Sequence, residues 1–478
     1  MNTIALAFVL YLLIILGVGF YTVRILKDIK DYALGGQRLG PWVIALSERA
    51  SGESAWLILG LPGAALVAGL LELWTVVGCV SGIIFSWLII AKPLRDITEK
   101  YNALTLPELL ERRFNDKKGT IRILSAVIII FFFTFYVAAQ FSGAGKVLNV
   151  TFGLSEMQGM IIGAFIIIIY TMMGGFLAVA WTDVIQGVIM FGTLVILPIV
   201  AFFEMKTLGA SGVIWDTQTL YGGKIGWGAI AAAIGGLSWG LGYLGQPHLV
   251  VRYMAIDSST HIGLSRKIAF AWAIPAFFGS MFIGLIGLHI VNAGVLSFEG
   301  KMIQSVSMLP DPEKLMPILA TYLLPAWLAG IFISGAIAAM MSTADSQLLV
   351  STTILTEDLV SKTLKKPNTD YLKLSRILTV LIGILAFIMA WRTEDLVFEM
   401  VSYAWSGLGA SFGPALVLML WWKRTTRKGI IAGLITGAIT TIIWVNIDSL
   451  QVLMTERLTS FVFAFIAVIV VSLMDREQ

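Results

Sequence analysis

The chain contains 478 residues, of which 58% are hydrophobic and only 13% are charged, about half of the charged fraction that soluble domains carry. This composition excludes a soluble globular fold, because too few polar side chains are present to cover so large an apolar core, and it predicts an all-α membrane protein. The formal charge of +4 gives no indication of a nucleic-acid partner. The single cysteine, Cys79, excludes a disulfide within the chain, and the three histidines are too scattered for a zinc site.

Apolar runs long enough to cross about 30 Å of hydrocarbon recur along the whole chain. The sequence predicts about 13 spanning helices, at residues 3–23, 42–69, 72–91, 121–150, 157–175, 181–203, 227–253, 267–292, 315–357, 371–391, 397–422, 428–447 and 455–474. The first run has neither a basic start nor a signal-peptidase site, so we expect it to be retained. The run at 315–357 is expected to begin with a short helix that does not span. No linker is long or polar enough to separate domains, so residues 1–478 are expected to form a single transmembrane domain.

Lysine and arginine residues alternate between two sets of loops. With the N-terminus placed outside, 25 of the 33 basic residues fall on inside loops or the adjoining helix ends, and six fall outside. The inside set includes Arg252 as well as the clusters at 92–122, 362–376 and 423–428. Because basic loops stay in the cytoplasm, this bias predicts a multi-pass protein of the plasma or inner membrane with a cytoplasmic C-terminus.

Two of the predicted spans contain residues that ordinary spanning helices avoid. Residues 47–56 (SERASGESAW) place three charged side chains and a glycine in the second span, and residues 238–247 (SWGLGYLGQP) place three glycines and a proline in the seventh. Proline removes a backbone donor and clashes with the preceding turn, so the seventh span is expected to be kinked or unwound. Interrupted helices at matching positions of two halves indicate an inverted-repeat transporter, in which freed carbonyls bind a cation. The alternative is that the glycines are ordinary membrane residues and that Arg49 and Glu53 form an inert i,i+4 pair.

Two acidic residues also lie in predicted spans, Asp183 at the start of the sixth and Asp345 within the ninth. A charged side chain in hydrocarbon costs about 2.5–3.5 kcal/mol on insertion scales, so each is a functional hypothesis. Ser342 and Ser346 share a helical face with Asp345, and together with Thr343 they supply the oxygen ligands that hard cations prefer. The alternative is that these hydroxyls bond only within their own helix or hold helices together.

Several longer segments match a known family in the same order. They are DYALGG at 31–36, TLP at 105–107, GGFLAVAWTD at 174–183, WGLGYLGQPH at 239–248, MST at 341–343 with QLLV at 347–350, and VSYAW at 401–405. On these segments, which extend over nearly the whole chain, the sequence resembles the sodium:solute symporter family and, within it, the sodium/proline symporter branch. The resemblance implies a leucine-transporter-like fold with a five-plus-five inverted repeat. Its first half would be residues 42–203 and its inverted second half residues 227–422, with one extra N-terminal and two extra C-terminal helices.

The resemblance also implies the positions of the binding residues. The main sodium ion would be held by the carbonyls of Ala50, Glu53 and Ala339 and the hydroxyls of Ser342 and Thr343. A possible second sodium site would comprise Asp183, Ser342, Asp345 and Ser346. The substrate would contact Glu53, Ser54, Tyr136, Trp239, Tyr243 and Pro247. Sodium would be the coupling ion and the only metal, without an organic cofactor.

One position departs from the branch, which often has an aspartate where this chain has Gly52. Glu53 or Asp345 is expected to supply the missing charge. The implied function is sodium-coupled import of a small amino acid, L-proline foremost, by alternating access, and no enzymatic constellation is present. The alternatives are a sodium symporter for another small carboxylate-bearing solute (another amino acid, pantothenate or sialic acid), a transporter-like sensor or a passive channel. The expected partners are the small-molecule substrate and the lipid bilayer, without nucleic acid, and the oligomeric state stays open.

Overall fold

The computed structural model describes residues 3–24, 29–209, 216–363 and 370–475. Nearly all of this is helical, and one short antiparallel hairpin, β1 (Leu296–Phe298) and β2 (Lys301–Ile303), interrupts it. The helices are α1 Thr3–Val23, α2 Ile29–Leu34, α3 Pro41–Ala55, α4 Leu61–Ala68, α5 Glu72–Phe85, α6 Ala91–Tyr101, α7 Leu106–Arg113, α8 Thr120–Phe152, α9 Glu156–Thr207, α10 Trp227–Leu237, α11 Trp239–Gly242, α12 Pro247–Ala255, α13 Ile262–Asn292, α14 Leu315–Leu323, α15 Ala326–Thr353, α16 Tyr371–Arg392, α17 Val397–Trp421, α18 Arg427–Val445, α19 Asp448–Leu453 and α20 Glu456–Met474.

In the described ranges, ten helical stretches are long and apolar enough to cross a membrane, or eleven when the bent pair 227–242 and 247–255 counts as one span. One of the ten runs from Pro41 to Tyr101, which at 1.5 Å per residue would be about 90 Å long. Gly69, at φ 64° and ψ −136°, interrupts this run between α4 and α5, where the sequence predicts the boundary of two spans. The protein is therefore a multi-pass membrane protein, and the count of 13 spans stays a prediction.

The helix α9 differs from the expected pair of spans at 157–175 and 181–203. It continues over 52 residues and departs from helical geometry at Gly175 (φ 58°, ψ −167°). The turn is thus one glycine rather than the five-residue connection that the sequence suggested. An added Cβ at Gly175 would lie 2.6 Å from the Tyr32 ring, so both its backbone angles and its packing require glycine.

The predicted run at 315–357 divides as expected into a short helix, α14, and a long one, α15. The helix α15 lies in the middle of the bundle and packs against α1, α3, α8 and α9. The helices α18 and α20 pack together on α17, outside this group.

Both of the unusual spans are interrupted in the structure. In the second, the break falls at Ser54 (φ 48°, ψ −173°), two residues after Gly52, which itself stays helical. In the seventh, α11 ends at Gly242, α12 begins at Pro247, and the two halves are bent by 40°. The glycines of this segment also permit close packing, since an added Cβ at Gly245 would lie 2.2 Å from the backbone nitrogen of Gly413 on α17.

The two ends of the bundle differ. We call the end of the bundle with the loops at 31–40 and 102–119 the basic end. The end with Lys224 and the loop at 393–396 is called the opposite end. At the basic end, Leu39 and Ile256 form a parallel bridge, and the Asp257 backbone N–H donates to the Leu39 carbonyl at 3.1 Å. At the opposite end, a cavity of about 1110 Å³ lies among α10, α17, α19 and the start of α20. The loop at 31–40 is thus joined to the end of α12 at the basic end, and the large cavity lies at the opposite end.

Arg252 corrects the interpretation of the basic residues. It was counted with the inside loops, but it is 1% exposed and lies within the helix bundle. Lys146 on α8 is likewise buried, with its Nζ 2.5 Å from Glu313 Oε2 and 2.7 Å from Asp311 Oδ2. The Glu313 carboxylate in turn accepts the backbone N–H groups of Val397 and Phe398, at 3.0 and 2.9 Å, at the start of α17.

Candidate functional site

The interrupted α3 and the intact α15 meet at the position where the sequence places the main sodium ion. Ser342 Oγ lies 2.9 Å from the Ala50 carbonyl oxygen and 3.2 Å from that of Ala339. Thr343 Oγ1 lies 2.9 Å from the carbonyl oxygen of Ser51. All of these residues are fully buried, so the site is a cluster of uncharged oxygens removed from water, which suits a hard monovalent cation.

The break in α3 explains why a backbone carbonyl is available there. In an unbroken helix, the Ala55 N–H would bond to the Ser51 carbonyl four residues earlier. Here the Ala55 N–H instead donates to the Gln140 side chain, Oε1, at 2.9 Å. The Ser51 carbonyl is thereby left to accept the Thr343 hydroxyl. The Glu53 carbonyl, another predicted ligand, instead accepts the backbone N–H of Trp56.

The residues of the possible second sodium site lie beside the first. Ser346 Oγ is 3.0 Å from Ser51 Oγ and 3.3 Å from Asp345 Oδ1, and Asp183 Oδ2 is 3.0 Å from Ser51 Oγ. Among the described residues, Asp183 Oδ1 and Asp345 Oδ2 are buried acceptors without a hydrogen-bond partner. Two such oxygens fit a cation, since buried polar atoms are almost always paired.

Arg252, on α12, places a fixed positive charge in the same cluster. Its Nη2 lies 2.5 Å from Ser346 Oγ, 2.7 Å from Ser51 Oγ and 3.2 Å from Asp183 Oδ2. It therefore joins α12 to α3, α9 and α15 on the basic-end side of the predicted sodium ligands. The cluster contains two carboxylates, Asp183 and Asp345, and one guanidinium.

The predicted substrate residues are brought together in part. The Tyr243 hydroxyl donates to Glu53 Oε2 at 3.1 Å, and the Tyr243 ring lies edge-on to Trp405 at 4.7 Å between centroids. Tyr136 is 6.4 Å from the same Trp405 ring. Pro247 begins α12 and lines a separate cavity of about 20 Å³ with Phe176 and other apolar side chains.

An aromatic layer separates these residues from the cavity at the opposite end. The Trp239 ring lies 4.7 Å from Trp56 and 5.1 Å from Phe398. Arg457, at the start of α20, places its guanidinium 4.7 Å from the Trp239 ring centroid. Phe398 and Arg457 both line the large cavity. A solute entering from that side meets this layer before it reaches Tyr243.

Comparison with known proteins assigns this arrangement to a family. The model of the sodium:solute symporter family matches residues 32–437, which include every residue of both candidate ion sites. The chain belongs to the sodium:solute symporter family. The members of this family are transporters.

Several similar proteins extend over nearly the full length of this symporter chain. It is 38% identical to the high-affinity proline transporter PutP of Bacillus subtilis (strain 168), covering 96% of this chain and 95% of that protein. It is 36% identical to the sodium/proline symporter of Escherichia coli (strain K12), covering 98% and 92%. It is 34% identical to the osmoregulated proline transporter OpuE of B. subtilis, covering 98% and 94%.

Solved structures confirm the fold class. A Na⁺-coupled sialic acid symporter in a substrate-bound outward-open state superposes with a TM-score of 0.78 at 18% identity, covering 99% of this chain and 98% of that one. MhsT in complex with L-phenylalanine superposes with a TM-score of 0.57 at 14% identity, covering 90% and 97%. These likenesses show the leucine-transporter-like fold alone.

Three residues of this symporter's site were not identified from the sequence. Gln140 supports the break in α3, Trp405 lies between Tyr136 and Tyr243, and Arg252 enters the acidic cluster. Gln140 could have been recognised as a candidate site residue, since it is a polar residue in the apolar run 121–150. Trp405 falls in the VSYAW segment of the family. Arg252 was hidden by its position at the end of the seventh span, where it resembled a loop residue.

Proposed function

We propose that this chain is a sodium-coupled symporter that imports a small amino acid, L-proline foremost, by alternating access. The observation that carries the sodium coupling is the contact of Ser342 on α15 with the Ala50 carbonyl at the break of α3. The proline assignment rests on the names of the relatives at 34–38% identity over nearly the full length. Sodium is the driving ion and is carried with the substrate.

In this proposal, the carbonyls of Ala50, Glu53 and Ala339 and the hydroxyls of Ser342 and Thr343 hold the main sodium ion. The ion fixes α3 to α15, because a cation that is coordinated by oxygen atoms from both helices sets the distance between them. Fixing α3 also sets the position of Glu53 and Ser54 at the break, and thus the pocket shared with Tyr243. Sodium and substrate therefore favour the same conformation, which is the thermodynamic requirement for coupling.

The substrate is proposed to lie against Glu53, Ser54, Tyr136, Trp239 and Tyr243, with Trp405 forming one wall. Tyr136 and Tyr243 both flank Trp405, and a saturated five-membered ring suits such an aromatic pocket. Pro247 acts indirectly in this proposal, because it ends the unwound segment and begins α12. Asp183, Ser342, Asp345 and Ser346 form the proposed second sodium site, with Arg252 beside it.

The orientation belongs to the same proposal. The basic end, where Leu39 and Ile256 are in contact, faces the cytoplasm, and the cavity of about 1110 Å³ opens outside. Substrate then enters through the aromatic layer of Trp56, Trp239 and Phe398, and leaves after the contacts between Leu39 and Ile256 open. The repeat division at 42–203 and 227–422 would make these two ends symmetry-related gates.

The test is accumulation of labelled L-proline in proteoliposomes with and without an inward sodium gradient. We expect uptake above the external concentration only with the gradient, and no accumulation with potassium in place of sodium. Flux that equilibrates but never accumulates would identify a passive channel. Stronger competition by another carboxylate-bearing solute than by unlabelled proline would assign the substrate to that solute.

A further inference from the structure

A second charged cluster lies on α3, on the substrate side of the sodium ligands. Glu48, Arg49 and Glu53 are each 0% exposed. Arg49 Nε donates to Glu48 Oε2 at 2.6 Å, Nη2 makes a second, shorter bond to Glu48 Oε1, and Nη1 donates to Glu53 Oε1 at 2.5 Å. We call these three residues the charged triad.

The remaining oxygens of the charged triad are bonded to aromatic residues. Trp87 Nε1 and the Tyr253 hydroxyl each donate to Glu48 at 3.2 Å. Glu53 Oε2 accepts the Tyr243 hydroxyl at 3.1 Å, and the Arg49 guanidinium lies 5.6 Å from the Tyr243 ring centroid. The two glutamates therefore have different environments: Glu48 is held from behind by Trp87 and Tyr253, whereas Glu53 faces the substrate residue Tyr243.

Stability alone is a weak explanation for this cluster. Replacing a buried ion pair by apolar side chains of similar volume is often neutral or stabilising, and charges at membrane depth are costly. The charged triad also holds two carboxylates against one guanidinium, a formal charge of −1. Burying these charges costs free energy and leaves a net negative charge beside the proposed substrate residue Tyr243. We therefore interpret the cluster as a ligand-binding feature.

We propose that Arg49 and Glu53 form a receptor for a zwitterion, which exchanges their mutual bond for two bonds to the substrate. The substrate carboxylate binds the Arg49 guanidinium, and its ammonium group binds the Glu53 carboxylate. Glu48 keeps Arg49 oriented while the bond to Glu53 opens. This inference rests on the proposed function, and it names the residues that recognise the two charged ends of the amino acid.

The exchange is balanced in charge and in hydrogen bonds. A zwitterion adds no net charge to the buried cluster, and its two new ion pairs replace the single one between Arg49 and Glu53. Arg49 is never left unpaired, because its bonds to Glu48 persist. A carboxylate without an amine would instead bring a second negative charge against Glu53, and an amine without a carboxylate would leave Arg49 without its second partner. The charged triad therefore selects amino acids against both half-molecules.

The route to the charged triad passes through the aromatic layer. Trp56 and Trp239 pack together at 4.7 Å, and Tyr243 lies one helical turn beyond Trp239 in the seventh span. Among the described residues, Trp56 Nε1 is a buried donor without a hydrogen-bond partner. It is available to a ligand oxygen just beneath the layer. A solute that passes Trp239 and the Arg457 guanidinium packed on it then reaches Tyr243 and the Glu53 carboxylate bonded to it.

The experiment measures competition with labelled L-proline uptake in proteoliposomes by two analogues of the same ring size. Tetrahydrofuran-2-carboxylate has the carboxylate but no amine, and pyrrolidine has the amine but no carboxylate. With the wild-type protein, we expect each analogue to compete at least tenfold more weakly than proline. Equal competition by tetrahydrofuran-2-carboxylate would overturn the proposal.

The variant Glu53→Gln removes the charge and leaves the backbone carbonyl that is proposed for sodium. We expect the half-saturating proline concentration to rise at least tenfold and the preference for proline over tetrahydrofuran-2-carboxylate to fall to about threefold or less. The half-saturating sodium concentration should stay within about twofold of the wild type. Glu72→Gln, which alters another buried carboxylate, on α5, is the matched control and should change none of these values. Unchanged proline affinity and preference in Glu53→Gln would contradict the proposal.

The same inference can be tested if Glu53→Gln does not fold or if the wild type accumulates no proline. The measurement is then thermal stabilisation of the purified wild-type protein by a panel of α-amino acids and their matched α-hydroxy acids. The zwitterion receptor requires at least one amino acid to bind tenfold more tightly than its hydroxy acid. If no amino acid in the panel binds tenfold more tightly than its hydroxy acid, the zwitterion receptor is rejected. Absence of sodium-driven proline accumulation rejects only the proposed function.

Discussion

Ser342 joins two elements through a single hydroxyl group, which lies within 3.2 Å of one carbonyl oxygen on α3 and another on its own helix. A hydroxyl in that position can serve as an ion ligand only if it is free to turn from these carbonyls towards a cation. Ser334 offers the contrast, since it is equally buried on α15 but bonds only to Gly330 of its own helix, at 2.8 Å.

Ser342→Ala is therefore expected to raise the half-saturating sodium concentration for proline uptake at least tenfold, equivalent to about 1.4 kcal/mol of lost binding. The measurement is initial uptake rate in proteoliposomes over a series of sodium concentrations. Ser334→Ala should leave the curve unchanged. Normal sodium dependence in both Ser342→Ala and Thr343→Ala would disprove the site.

Lys146 is a second residue whose role is defined by its partners. It neutralises Glu313, whose carboxylate also binds the first N–H groups of α17. Lys146→Met leaves that buried carboxylate uncompensated, a change that costs about 3–5 kcal/mol in other proteins. We expect a clearly lower Tm in detergent. The double variant Lys146→Met/Glu313→Gln should recover part of the loss, and Lys118→Met, at an exposed position, should have no effect. An unchanged Tm in Lys146→Met would show that the pair does not support α17.

At the scale of elements, the sequence predicted the interrupted spans but not the position of each break. In the seventh span, Pro247 cannot donate a backbone hydrogen bond, so the restart of the helix there follows from local chemistry. In the second span, residues 47–56 contain no proline to locate the break, and the backbone breaks at Ser54, where Gln140 of α8 accepts the Ala55 N–H. That hydrogen bond is a tertiary contact, and no local pattern contains it.

The same limit applies to the site. Ser342, Asp345 and Ser346 were identified together because a helix presents i, i+3 and i+4 residues on one face. Arg252 was missed because its approach to Asp183 depends on the 40° bend in the seventh span. The ion pairs of Lys146, which lies inside the predicted span 121–150, were not predicted because Asp311 and Glu313 lie more than 160 residues further along the chain.

The close contact between α5 and α10 depends on the glycine at position 236. An added Cβ at Gly236 would lie 2.6 Å from the Trp74 Cβ and 2.7 Å from the Thr75 nitrogen, whereas at Gly235 nothing lies within 4 Å. Gly236→Ala should therefore lower the Tm and reduce uptake. Gly235→Ala should be neutral or slightly stabilising, since alanine favours a helix by about 1 kcal/mol over glycine. Equal Tm values for the two variants would show that this contact is not tight.

At the scale of the whole molecule, the net charge carried with each proline sets the voltage dependence of transport. A proline zwitterion carries no net charge, so each sodium ion moves one elementary charge. One charge gains about 2.3 kcal/mol per 100 mV, which corresponds to about a 45-fold increase in accumulation at equilibrium. We expect an inside-negative potassium diffusion potential of about 100 mV to raise proline accumulation by about that factor if one sodium ion is carried with each proline, and by the square of that factor if two are carried. Accumulation that is independent of voltage would contradict sodium symport.

The proposed orientation can be tested with the native cysteine in place. Cys79 is the single cysteine and is buried. A membrane-impermeant maleimide applied to intact cells should therefore label Lys301→Cys, on the hairpin at the opposite end, and should not label Lys423→Cys, at the basic end. Both positions are exposed, so both should react after the cells are lysed. The reverse pattern would invert the topology.

The bond between Arg49 and Glu53 also restricts how this protein can change over generations. Loss of Arg49 alone would leave two buried carboxylates without a cation, and loss of Glu53 alone would remove the proposed partner of the substrate ammonium group. The two positions are expected to be inherited as a unit and to be gained or lost together. Related proteins that retain both Arg49 and Glu53 are expected to keep amino acids as substrates, even where the surrounding aromatic residues differ and the pocket admits larger or smaller rings.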